Sequence, residues 1–226
     1  MENVRRNIVV IGASAGGVSA LRRIVVDLPP KFPETVLIVL HIGANRSLLP
    51  AVLAAAGPNT AAHAQDGEAL RRGHLVVAPP DYHLLLRAGC LCLTQGPREH
   101  FTRPAIGPLF RSAALEHGSR VIGILLTGKL DDGIAGLKAI RQCGGLAIVQ
   151  DPVSAYAPRM PARALRQVAI DYCLPLGLIG NRLTDLVRYM PVAQSINNPK
   201  WWRYIGTHGQ SLEKAGAPKC ALMLNL

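Results

Sequence analysis

Residues Gly12-Ala13-Ser14-Ala15-Gly16-Gly17 lie between a short β-branched run at 8–11 and an apolar helical pattern through Val18, Leu21, Ile24 and Val25. The first five fit GxSxG, in which a strand-to-helix turn lifts a serine hydroxyl into the open. Glycine suits such a turn because the sharp bend crowds the neighbouring backbone. The helix N-terminus that follows aims free N–H groups and positive dipole at the place where an oxyanion forms. A glycine-rich phosphate loop is the competing reading of this position. It asks for glycine where Ser14 stands and for an acidic residue closing the second strand, and the chain offers neither.

His41 ends a second fully apolar run at 36–40, so in a parallel sheet it reaches the same carboxyl edge as Ser14. A lone strand-end histidine is more often structural. Asp131 and Asp132 follow a third apolar run at 121–126 and precede a helix that begins at Gly133, which brings them to that edge too. Capping of that helix suits either aspartate. Together the three strand ends offer a hydroxyl, an imidazole and a carboxylate. Serine activation requires this set: a base within hydrogen-bond reach, and an acid that fixes the tautomer of the base. The chain order Ser, His, Asp differs from the Ser, Asp, His order of α/β-hydrolases, which implies another hydrolase fold.

These positions depend on elements that periodicity predicts. Residues 8–11, 36–40, 75–78, 121–126, 146–149 and 170–174 read as strands, several apolar throughout, as strands buried on both faces are. Helices are predicted at 18–25, 48–56, 104–117, 133–143, 162–168 and 183–190. Residues 84–87 and 91–94 flank Ala88-Gly89 as an antiparallel hairpin. The alternation predicts an α/β fold: a doubly wound, mostly parallel sheet with helices on both faces and a small hairpin.

Length and composition agree with one such domain. A chain of 226 residues, 49% hydrophobic and 17% charged, buries about 70% of its unfolded surface and is not intrinsically disordered. No apolar run reaches the roughly 18 residues of a membrane span, and the N-terminal apolar stretch is too short for a signal peptide, so a cytoplasmic location is expected. The five cysteines match neither a CxxC redox motif nor a zinc knuckle, and no metal or other cofactor is expected. The net charge of +11 attracts acidic partners without choosing among them. Only 4% of residues are aromatic, without the basic-aromatic alternation that stacks bases, which makes nucleic acid a weak candidate. Residues 1–192 are read as the domain. From 193 to 226 the periodicity fails, Lys200, Arg203, Lys214 and Lys219 outnumber Glu213, and a loosely docked or disordered basic tail is expected, with Trp201 and Trp202 as its anchors.

The chain resembles the catalytic domain of the CheB-type chemotaxis protein-glutamate methylesterases. The likeness is carried in order by residues 8–17, His41, Val76-Val77-Ala78-Pro79-Pro80 with His83 and Leu84, and Arg103-Pro104 with Leu109-Phe110. It continues through Leu126-Thr127-Gly128 with Asp132-Gly133, then Asp151, Ser154 and Met160-Pro161. The resemblance implies a triad of Ser14 nucleophile, His41 base and Asp132 orienting acid, with backbone N–H groups of Ala15 and Lys129 as oxyanion donors. It implies hydrolysis of glutamate methyl esters on cytoplasmic chemoreceptor helices, and in some members glutamine deamidation. Those helices are acidic, so part of the positive charge is expected to dock them, with Arg103 near the mouth.

Several positions depart from the family pattern. Ala15 stands where Thr is common, Leu40 where Gln precedes the histidine, Ile42-Gly43 where a proline follows it, and Lys129-Leu130 where the loop usually reads Met-Gly. Leu130 removes a residue that tolerates positive φ, so a displaced oxyanion loop is expected. A catalytically impaired relative, serving as a basic binding module for acidic protein or nucleic acid, is the alternative this loop raises. The first strand starts near residue 7, so control through an N-terminal receiver domain is not expected.

Overall fold

The computed structural model describes residues 6–42 and 46–188; the segment 193–226 and its anchors Trp201 and Trp202 lie outside the described residues. The chain runs β1 (Ile8–Ala13), α1 (Gly17–Asp27), β2 (Thr35–Leu40), α2 (Leu49–Ala56), β3 (Thr60–His63) and β4 (His74–Val77). The hairpin β5 (His83–Arg87) and β6 (Cys90–Thr94) follows. Then come α3 (Ile106–His117), β7 (Val121–Leu125), α4 (Ile134–Gln142), β8 (Leu146–Gln150), α5 (Arg159–Gln167), β9 (Tyr172–Leu174) and α6 (Leu176–Arg188). Among the described residues no helix is long and apolar enough to cross a membrane.

Seven parallel strands form one sheet in the order β3-β4-β2-β1-β7-β8-β9, and β5-β6 is a separate antiparallel pair. Every residue of β1, β2 and β7 is buried, as strands covered on both faces must be. Alternation then divides the core. Ile8 and Val10 pack with α3, α4, α5 and the hairpin, while Val9, Ile11 and Ala13 pack with α1, α2 and α6. The chain winds outward from β1 through β2, then returns to wind the other way through β7. The crevice beyond the carboxyl end of β1 is thus the switch point of the sheet, where open α/β folds place their sites. Register sharpens this. Ala13 pairs with Leu40 and Gly12 with Leu125, so Ser14, His41 and the segment after β7 leave the sheet side by side.

Beyond boundary shifts of one or two residues, three elements differ from expectation, each for a physical reason. Strand β3, missed in the sequence, is an edge strand of alternating exposed and half-buried residues and has no apolar run. Helix α5 starts before Pro161, because a proline in the first turn costs no hydrogen bond. Helix α6 starts at Leu176, ahead of its apolar run, and includes Gly180, a residue poor in helix propensity. A Cβ at Gly180 would come within 2.6 Å of Asp27 Cβ and 2.9 Å of the Ile24 carbonyl, so the glycine lets α6 lie directly on α1.

One of the tightest approaches joins β1 to α3. A Cβ at Gly12 would meet Ile106 Cγ2 at 2.4 Å. Gly12→Ala is expected to destabilise the domain by about 1–3 kcal/mol through overpacking. Thermal unfolding should show the midpoint falling by about 2–4 °C for each kcal/mol.

Candidate active site

Ser14 follows β1 at the first residue of a tight turn. Its carbonyl accepts the Gly17 N–H at 2.8 Å, and its own N–H donates to the Thr127 carbonyl at 3.0 Å. Gly16 has φ 78° and ψ 2°, and Ala15 is absent from the positive-φ residues. That combination, with the bond from residue 17 to residue 14, defines a type II turn. Helix α1 begins at its end, so the hydroxyl stands where a helix N-terminus opens.

The structure brings together the three side chains that the sequence placed at one edge. His41 Nδ1 lies 3.1 Å from Ser14 Oγ. Its Nε2 lies 2.7 Å from Asp132 Oδ2. With Nε2 protonated and donating to the carboxylate, Nδ1 is left as an acceptor for the Ser14 hydroxyl. The serine is thus served by Nδ1, where the chymotrypsin arrangement uses Nε2, and the division of roles is the same. The arrangement is able to deprotonate a nucleophilic hydroxyl and to hold the resulting imidazolium beside a carboxylate.

Asp132 is fully buried. Its Oδ2 also accepts the Ile106 N–H at 2.5 Å, and its Oδ1 accepts the Gly107 N–H at 2.9 Å. These are the first two amides of α3, which has no side-chain cap of its own. The capping expected of an aspartate here is real, but the helix it serves is α3 and not the α4 that follows it. Burial pushes the Asp132 carboxyl up; the His41 hydrogen bond, the Ile106 N–H, the His41 charge and the Gly107 N–H outweigh it and hold the group below its ordinary value. Asp131 points elsewhere and pairs with Arg163 of α5.

The two expected oxyanion donors, the Ala15 and Lys129 N–H groups, donate to no acceptor among the described residues. Neither Lys129 nor Leu130 adopts a positive φ, so the loop accommodates leucine without left-handed strain, and the displacement expected from that substitution loses its cause. Arg103 corrects another expectation. Its guanidinium is committed to Asp81 at 2.8 Å and to the carbonyls of Gln95 and Gly96 at 2.8 and 2.9 Å. It ties the hairpin to the loop before α3 and offers no free cation to a substrate. Among the described residues no cluster of His, Cys, Asp or Glu forms a metal site.

Three features were not legible in the sequence: the α3 amides at Asp132, the buried Thr127 hydroxyl, and Gln150, whose Oε1 accepts the Thr127 N–H at 3.0 Å. Only Gln150 left a signal there, as a polar residue ending an apolar strand.

The depressed Asp132 carboxyl makes a prediction of definite sign. The stability it contributes is complete above its unfolded-state value of about 3.9 and is lost as pH falls through the lower folded value. Denaturant titrations in acid should therefore show a shallower slope of stability against pH for Asp132→Asn than for the wild type.

The CheB methylesterase family model matches residues 9–183. A protein from Leptospira interrogans, bearing protein-glutamate methylesterase and protein-glutamine glutaminase in its name, is 39% identical over 170 residues, 74% of this chain and 88% of its own length. An Anaeromyxobacter dehalogenans protein-glutamate methylesterase/protein-glutamine glutaminase is 37% identical over 185 residues, and the match spans 81% of this chain but only 54% of that longer protein. The crystal structure of the Thermotoga maritima CheB methylesterase catalytic domain superposes with a TM-score of 0.77 at 31% identity, covering 81% of this chain and all of that one. By family model, sequence and fold, the chain belongs to the CheB methylesterase family.

Proposed function

We propose that this chain hydrolyses glutamate γ-methyl esters on the acidic cytoplasmic helices of chemoreceptors, with Ser14 as nucleophile, His41 as general base and acid, and Asp132 as the group that orients His41. The observation that best supports this reading is the continuous hydrogen-bonded path from Ser14 Oγ through both ring nitrogens of His41 to Asp132.

Ser14 Oγ attacks the ester carbonyl as its proton passes to His41 Nδ1. The tetrahedral oxyanion is held by backbone N–H groups, those of Ala15 and Lys129 being free to donate. Collapse breaks the bond to methoxide, which takes the proton from His41 and leaves as methanol. Water then repeats the sequence on the acyl-enzyme and returns Ser14 and a glutamate carboxylate. The same path with ammonia as leaving group deamidates glutamine. Lys129, next to Gly128, and Arg159, next to the Met160 that packs on Gly128, are exposed and supply positive charge for an acidic helix in the place of the committed Arg103.

Ser14→Ala is expected to lower methanol release from methylated receptor by at least ~10³-fold with the fold intact, and Asp132→Asn by up to about 10⁴-fold. Equal release by wild type and Ser14→Ala would sink the reading. Arg159→Glu should raise KM, and should flatten the fall of kcat/KM with added salt, because opposite charges on enzyme and receptor attract less strongly once this one is reversed.

A further inference from the structure

The turn that carries Ser14 has two ways to close. A bond from the Gly17 N–H to the Ser14 carbonyl closes type I and type II turns alike; they differ by rotation of the central peptide, here Ala15–Gly16. Glycine at position 16 tolerates both signs of φ, so it does not choose between them. Something outside the turn must choose, and the Thr127 side chain is placed to do so. Thr127 Oγ1 donates to the Ala15 carbonyl at 2.8 Å, which is the carbonyl of the central peptide. The same oxygen accepts the Ala157 N–H at 2.8 Å, and its single proton goes to the Ala15 carbonyl because the other acceptor in reach, the Ala157 carbonyl, is farther at 3.5 Å. The backbone of Thr127 is itself tethered on both sides: its N–H donates to Gln150, and its carbonyl accepts the Ser14 N–H. Thr127 is buried, so no water competes for these bonds.

We infer that Thr127 is a positioning residue whose side-chain hydroxyl locks the nucleophile turn in its type II form and so holds Ser14 in line with His41. In the alternative turn the Ala15 carbonyl leaves Thr127 and the Gly16 N–H rotates toward its place. That turns over the peptide on the C-terminal side of Ser14 and leaves the Ala15 carbonyl without its Thr127 donor. Valine has the shape of threonine without the hydroxyl, and serine has the hydroxyl without the methyl. The lock predicts that valine fails and serine serves.

This inference rests on the esterase reading, and the experiment separates the two. The rate at which a fluorophosphonate labels Ser14 requires an activated nucleophile but no receptor, and it is measured for wild type, Thr127→Val and Thr127→Ser. Thr127→Val is expected to label about 10²-fold more slowly, the scale of a small misplacement of a reacting group, with Thr127→Ser within roughly threefold of wild type. On methylated receptor the valine variant should lose kcat at unchanged KM. Wild type and valine variant labelled at equal rates would overturn the lock and leave the esterase reading standing; a serine variant as slow as the valine one would overturn it too. A wild type that releases no methanol from methylated receptor removes the esterase reading and the lock with it. Should the valine variant fail to fold, Thr127→Ala against Thr127→Ser makes the same comparison.

Discussion

A carboxylate with no exposed surface must be surrounded by donors, and Asp132 imposes that demand where three elements meet. Burying an ion without compensation costs several kcal/mol. The compensation comes from His41 and from the first two amides of α3, and those amides come only if the α3 N-terminus is delivered to the carboxylate. The loop before α3 is accordingly fastened along its length. Arg103 holds Asp81, Glu99 holds Arg111 at 2.6 Å, and His83 donates to the Pro97 carbonyl while accepting the Ala105 N–H. Each contact lies outside the reacting groups, and each fixes the place of two N–H groups that His41 then depends on through Asp132.

This dependence explains what could be read in the sequence and what could not. Ser14, His41 and Asp132 were legible because strand ends are legible: β1, β2 and β7 are unbroken apolar runs, and parallel pairing sends whatever follows them to one edge. The hairpin and most helices were legible from period and turn residues. The α3 cap was not, since Asp132 and Ile106 are 26 positions apart and only the packed structure joins them. The commitment of Arg103 is hidden from the sequence for a related reason. A sequence shows the charge of an arginine but not the carboxylate and carbonyls that consume it. Strand β3 was invisible because an edge strand with half-exposed residues has no apolar run to find.

The net charge also means something narrower in the folded chain. Arg23, Arg103, Arg111, Arg141 and Arg163 each pair with a carboxylate. Such pairs are neutral at a distance and do little to steer a partner. The excess is therefore carried by other cations, several of them exposed, including Arg22, Arg72, Arg87, Arg98, Lys129 and Arg159. Lys129 follows Gly128, and Arg159 precedes Met160, whose thioether packs against Gly128 beside Ser14. Both cations therefore belong to segments that border the Ser14 turn.

The loop at Lys129 and Leu130 is where the chain departs most from the family pattern, and its geometry says which step the departure touches. Were the backbone forced to a positive φ at Leu130, the strain would fall on the loop that carries the Lys129 N–H and leads into Asp132. Leu130 has an ordinary φ instead and is half exposed, at 49%. Across the Ser14 turn Tyr156 is 81% exposed, its ring against the Cα of Gly16 where a side chain would clash with it. Both apolar groups stand on segments held rigid by Thr127 and Asp132, and exposed apolar surface on rigid backbone favours whatever covers it. Leucine at this position therefore adds exposed apolar surface next to Asp131 and Asp132 and leaves the Ser14, His41 and Asp132 side chains in hydrogen-bonding reach of one another. Behind it, Ser14, His41 and Asp132 keep their continuous hydrogen-bonded arrangement.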